Sequence, residues 1–258
     1  MLKTERMDRV RAALRAQGLT QMIVCDPKSV WYLTGVAVEP YERLLALYLP
    51  TEGEPVLFLN RLFNVPEPPC RTVWHTDTDR PVAQIAEVVD AGRPLGIDKE
   101  WPAKFLIPLM ETHPGMQVVL SSDCVDDCRA CKDAEEQALM REASRINDTV
   151  NEAAKHYIKA GMTEREVAEF IDAQFRAHGC EGPSFTTIVS FGANAADPHH
   201  EPDDTVLKEG DCVLFDMGCV KSRYCSDMTR TWFCGQPTEK QALSLIHISE
   251  PTRLALIS

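Results

Sequence analysis

The sequence predicts an α/β domain over residues 1–124, followed by an α+β domain with an antiparallel sheet over residues 132–242. Three observations carry this. Short β-rich runs alternate with helical periodicity up to about residue 120, which favours an α/β arrangement. A polar, acidic stretch, SSDCVDDCRACKDAEE, interrupts the pattern from residue 121. Beyond it two helical stretches precede a block of β-rich runs, the order expected of α+β. A chain of 258 residues is long enough to bury cores for both.

Taken in order, residues 5–17 place Met7, Val10 and Leu14 on one helical face, with Gly18 as the stop. The runs Gln21–Cys25, Leu44–Leu49, Pro55–Asn60 and Pro94–Asp98 are bounded by Pro, Gly or Asp and read as strands, with a helix over Val82–Asp90. In the second half, Asp133 with Glu136 caps a long helix whose apolar positions are Leu139, Ala143, Ile146, Val150, Ala153 and Tyr157, ending at Gly161. Thr163-x-x-Glu166 opens a second helix with Val167, Phe170, Ile171 and Phe175 on one face. Strands are expected over Thr186–Phe191, Cys212–Gly218 and Asp227–Phe233.

Composition limits what the chain does. With 27 Lys plus Arg against 39 Asp plus Glu, the net charge is −12, which repels a phosphate backbone, so nucleic acid is not an expected partner. The longest apolar run, Leu44–Leu49, is far below the roughly 18 residues that span a bilayer, and the charged N-terminus has no apolar segment of a secretory signal. The expectation is a cytoplasmic protein without a membrane partner. Ten cysteines in such a chain read as free thiols; the single CxxC at Cys128 and Cys131 lacks the second pair of a structural zinc site.

The chemistry concentrates in GDCVLFDMGCVKSRYCSDMTRTWFCG, residues 210–235. Strand alternation puts Asp216 on a face with Cys212 and Leu214, and Asp227 on a face with Thr229, Thr231 and Phe233. Two carboxylates within apolar strands are costly alone and repel when brought together, and a divalent cation between them removes both penalties. A hairpin turning between Met217 and Ser226 brings them to one sheet face. The plainer alternative is that Asp216 ends its strand at Met217-Gly218 and Asp227 pairs with Arg230. No Gly-x-Ser-x-Gly elbow, phosphate-binding Gly-rich loop or His-Glu-x-x-His helix is present.

Residues 190–241, SFGANAADPHHEPDDTVLKEGDCVLFDMGCVKSRYCSDMTRTWFCGQPTEKQ, resemble the pita-bread metallopeptidases, which include aminopeptidase P, prolidase (Xaa-Pro dipeptidase) and methionine aminopeptidase. RACKDAEEQALMREASRIND resembles the entry to their catalytic domain, and residues 6–120 resemble the smaller creatinase-type N-terminal domain. The resemblance implies a metal-dependent exopeptidase acting next to proline, on short peptides, commonly as a homodimer. It implies two divalent ions, manganese first, with cobalt, zinc or iron compatible; Asp216 binds one ion and Asp227 bridges both. His199, in Asp197-Pro198-His199-His200, is implied to be the catalytic-site histidine that contacts substrate, and His200 stays open. Related folds that act on non-peptide amides or amidines, or bind a partner without catalysis, are the alternatives.

The resemblance stops after Gln241. Residues 243–258, LSLIHISEPTRLALIS, match neither the histidine nor the two glutamates that complete the family's site, and read as a non-native tail on a truncated chain. The polypeptide as written is therefore expected to be inactive, since two aspartates hold a catalytic metal weakly.

Overall fold

The computed structural model describes residues 2–243, and residues 244–258, which hold nearly all of the expected tail, lie outside that range. The chain divides into two compact units, residues 1–132 and 133–258.

The first unit contains α1 (Thr4–Ala16), β1 (Gln21–Val24), α2 (Pro27–Thr34), β2 (Ala46–Pro50), β3 (Val56–Asn60), β4 (Arg71–His75), α3 (Pro81–Ala86), β5 (Leu95–Ile97), α4 (Ala103–Thr112), β6 (Val118–Leu120) and α5 (Asp123–Ala130). Its six strands run in the order β4-β3-β2-β1-β5-β6. The β1–β2 and β2–β3 pairs are antiparallel, and the β3–β4, β1–β5 and β5–β6 pairs parallel. Strand alternation divides the core in two: Met22, Val24, Leu47, Leu49, Leu57 and Leu59 join the cluster under α1, α2 and α5. Ile23, Ala46, Tyr48, Val56 and Phe58 join the cluster on the opposite face with α3 and α4. Burial on both faces explains why β1 to β3 read as continuous apolar runs rather than alternating ones.

Two expectations change here. The helix expected over Val82–Asp90 spans Pro81–Ala86. The stretch from residue 121, expected to lack regular structure, contains α5, whose Cys124 and Val125 are buried in the α1 cluster, so this unit runs past residue 124. Its i, i+1, i+4 apolar positions, Cys124, Val125 and Cys128, are hidden among aspartates. Helix α2, which is not among the elements expected from the sequence, is bounded by its own residues: Asp26 accepts from Ser29 N at 2.9 Å, Pro27 follows the cap, and Gly35 ends the helix at φ 74°.

The second unit contains α6 (Ala134–Tyr157), α7 (Glu164–Ala177), β7 (Gly182–Pro183), β8 (Ile188–Phe191), a 3₁₀ turn (Gly192–Ala196), β9 (Cys212–Met217), β10 (Cys219–Lys221), β11 (Tyr224–Cys225) and β12 (Met228–Phe233). An antiparallel sheet, β12-β9-β8, sits beside a small β11-β10-β7 sheet. Val213, Phe215 and Met217 of β9 pack with Ala143, Val150 and Ala154 of α6 and Val167, Ile171 and Phe175 of α7. Both capping boxes form as the sequence predicts. The α6 core face is shifted from expectation: Glu136, Asn147 and Ala154 are buried, while Tyr157 is exposed and stacks on Phe170. Two of those positions are polar because they have partners, Glu136 accepting from Tyr224 Oη at 2.8 Å and Asn147 donating to the Met217 carbonyl at 3.0 Å. No helix among the described residues is long and apolar enough to cross a membrane.

Candidate metal centre

The β9–β12 ladder pairs Asp216 with Thr229 and Met217 with Met228. Asp227 immediately precedes β12; continuing the alternation by one residue puts it on the face that Asp216 shares with Thr229. The antiparallel pairing expected from the sequence is thus present between β9 and β12. The environment of the two aspartates differs from expectation, since Asp227 is exposed and outside its strand and Asp216 is half-buried. The helices back the opposite face, so Cys212, Leu214 and Asp216 are only partly covered.

Asp216 is held by its cross-strand neighbour, whose hydroxyl Thr229 Oγ1 donates to Asp216 Oδ1 at 2.8 Å. Arg230 does not pair with Asp227; its Nη1 donates to the Thr229 carbonyl at 2.9 Å, and among the described residues neither aspartate forms an ion pair. Close packing fixes the chain between the strands: a Cβ on Gly218 would lie 2.0 Å from the Ser226 carbonyl oxygen and 2.3 Å from Ser184 Oγ. Only glycine fits, and Ser226 N in turn donates to the Cys219 carbonyl at 2.9 Å. The inserted β10–β11 hairpin turns through Ser222 (φ 50°) and Arg223 (φ 67°), whose amides both donate to Glu181. Beside Asp227 lies a cleft of about 400 Å³ lined also by Ser144, Asn147, Asp148 and Thr229.

His199 is exposed in the loop that leaves the 3₁₀ turn, its amide donating to Asp197 Oδ1 at 2.9 Å. Among the described residues no hydrogen bond joins it to either aspartate. His200 points inward instead and meets Glu164 Oε2 at 2.6 Å. Glu164, His200 and Asp203 each place one potential ligand atom within 4.8 Å of the others. Hydrogen bonds from Thr205 hold the Asp203 carboxyl below its usual range. Glu164 and Asp203 were not singled out from the sequence, although Glu164 follows a cap residue directly, a position where an acidic side chain is ordinarily a helix-end charge.

Two carboxylates on one face, free of any basic partner and one of them oriented by a hydroxyl, suit a divalent cation, yet they supply fewer donors than such an ion takes. The fold and this face together define a creatinase/prolidase-type N-terminal domain joined to the helix-backed sheet of a pita-bread metallopeptidase. Residues 6–131 match the creatinase/prolidase N-terminal domain and residues 138–253 match metallopeptidase family M24. An uncharacterized peptidase of Staphylococcus epidermidis is 30% identical over 243 residues, covering 93% of this chain and 68% of the relative. One from Staphylococcus aureus is 34% identical over 234 residues, covering 87% and 64%. Among solved structures, a prolidase from Thermococcus sibiricus superposes with a TM-score of 0.89 at 28% identity, over 99% of this chain and 72% of that one. Dipeptidase PepE from Mycobacterium ulcerans gives 0.88 at 30% identity, over 98% and 70%. The chain belongs to metallopeptidase family M24, and it spans about two thirds of the length of the curated relatives it matches.

Proposed function

We propose that the protein is a metal-dependent exopeptidase of the Xaa-Pro dipeptidase or aminopeptidase P type, with Asp216 and Asp227 as ligands of two divalent ions and His199 contacting the peptide. The carrying observation is the β9–β12 register, which pairs Asp216 with Thr229, two residues from Asp227, and supports a common sheet face for the two aspartates. The prolidase and dipeptidase among the structural neighbours support the substrate class. Oxygen donors favour manganese. When bound, such ions polarise a carbonyl and lower the pKa of water enough to give a nucleophile near neutral pH.

The residues of the chain itself have separable tasks. Asp216 and Asp227 offer carboxylate oxygens, and Thr229 fixes the rotamer of Asp216 through its hydroxyl. His199, exposed on its loop, is free to meet a substrate carbonyl or amide. With these two ligands among the described residues, residues 1–258 bind manganese weakly and do not turn over.

Titration calorimetry with Mn²⁺ and an assay of Xaa-Pro dipeptide cleavage test this. Weak Mn²⁺ binding that is lost in Asp216→Asn and in Asp227→Asn supports the ligand assignment, and binding unchanged in both variants overturns it. Cleavage of the dipeptide by residues 1–258 with added manganese overturns the inactivity.

A further inference from the structure

Glu164 is the first residue of α7, its side chain is 0% exposed, and among the described residues its one basic partner is His200. Its carboxylate is saturated. Oε1 accepts from Phe191 N at 2.7 Å and from Asn194 Nδ2 at 3.0 Å. Oε2 meets His200 Nε2 at 2.6 Å and accepts from Asp203 N at 3.2 Å. Three of these four contacts are N–H donors, so the carboxylate accepts at both of its oxygens. The backbone closes the same region: Glu164 N donates to the Thr205 carbonyl at 3.2 Å and Arg165 N to the Asp203 carbonyl at 3.1 Å.

A cation at Glu164, His200 and Asp203 would displace these donors and leave the buried Phe191 amide without its acceptor, which is costly. The arrangement is that of a lock. Its four contacts come from the end of β8, the 3₁₀ turn and the stretch just after His199, so one carboxylate gathers residues 191 and 194 before His199 and residues 200 and 203 after it.

We infer that Glu164 is a positioning residue: its buried carboxylate, through His200 and the Phe191 and Asp203 amides, fixes the segment that presents His199. The inference rests on the reading in which His199 works beside ions held by Asp216 and Asp227. Glutamine is the discriminating substitution because it has the same shape but turns an NH₂ towards two of the four donors.

The test compares the 258-residue chain with Glu164→Gln by amide hydrogen exchange and by Mn²⁺ broadening of the histidine ring resonances. Exchange is expected to accelerate at least tenfold in E164Q at whichever of the Phe191 and Asp203 amides faces the new NH₂, while β9 amides stay protected, and unchanged exchange at both amides overturns the lock. Mn²⁺ is expected to broaden the His199 ring in the unmodified chain and to broaden it less in E164Q at equal Mn²⁺ affinity. A merely structural contact would leave that broadening unchanged, and equal broadening overturns the positioning role. If Mn²⁺ binds through Asp216 and Asp227 yet never broadens His199, the reading of His199 fails, while the exchange result still decides the lock. Should E164Q not fold, His200→Ala serves: exchange is expected to accelerate at Asp203, which shares Oε2 with His200, and not at Phe191, and equal protection at both overturns the lock.

Discussion

Single residues on the β9–β12 face act through shape as much as through charge. Gly218 is held by the absence of room, with the Ser226 carbonyl where a methyl group would sit. Gly218→Ala is expected to destabilise the second unit by about 1–3 kcal/mol, the usual cost of overpacking, and to displace the Ser226–Asp227 link. Urea unfolding reads the first effect and Mn²⁺ calorimetry the second; a variant as stable as the unmodified chain would show that the hairpin has slack. Thr229 is the converse case, a residue whose worth lies in one hydroxyl aimed at Asp216.

Individual elements are punctuated by side chains whose spacing is visible in the sequence. Thr163 and Glu166 cap α7 reciprocally, the Thr163 hydroxyl accepting from Glu166 N at 3.2 Å and Thr163 N donating to the Glu166 carboxylate at 2.8 Å. Thr163→Ala is expected to cost about 1 kcal/mol, measured as a lower thermal midpoint. The same variant leaves Glu164 in place, so its largest effect on exchange at the Phe191 and Asp203 amides is expected to be smaller than that of E164Q. Helix α5 shows the limit of pattern reading at this scale, because an eight-residue helix with three aspartates offers too little period to separate it from a linker.

The whole molecule carries thiols in the cores of both units, all of them free. Burial raises Cys70 and Cys124 to about 11 and Cys180 to about 12, and raises Cys25 further. An unfolded thiol ionises near 8.5, so above that pH the unfolded chain releases protons that the folded one keeps, and stability falls. The expected result is a urea midpoint that is flat in this respect up to about pH 8 and declines from pH 9 towards 11 as these thiols come under strain to ionise. A midpoint that does not fall over that range would contradict the assignment of these cysteines as buried thiols. Neither unit depends on a disulfide.

Legible along the chain were the two-part α/β then α+β order, both capping boxes, and the antiparallel pairing of the strand that holds Asp216 with the strand that follows Asp227. These are local properties: period, cap chemistry, strand alternation and net charge are written along the chain. Only the tertiary structure decided that Asp227 is exposed rather than embedded in its strand, that α6 turns Asn147 and Glu136 inward to meet the β9 end and Tyr224, and that His200 faces inward while His199 faces out. Adjacent histidines cannot be told apart by local pattern. What separates them is a buried carboxylate from Glu164, thirty-six residues away in the chain, that saturates itself with loop donors because an unpaired acceptor there is too costly to keep.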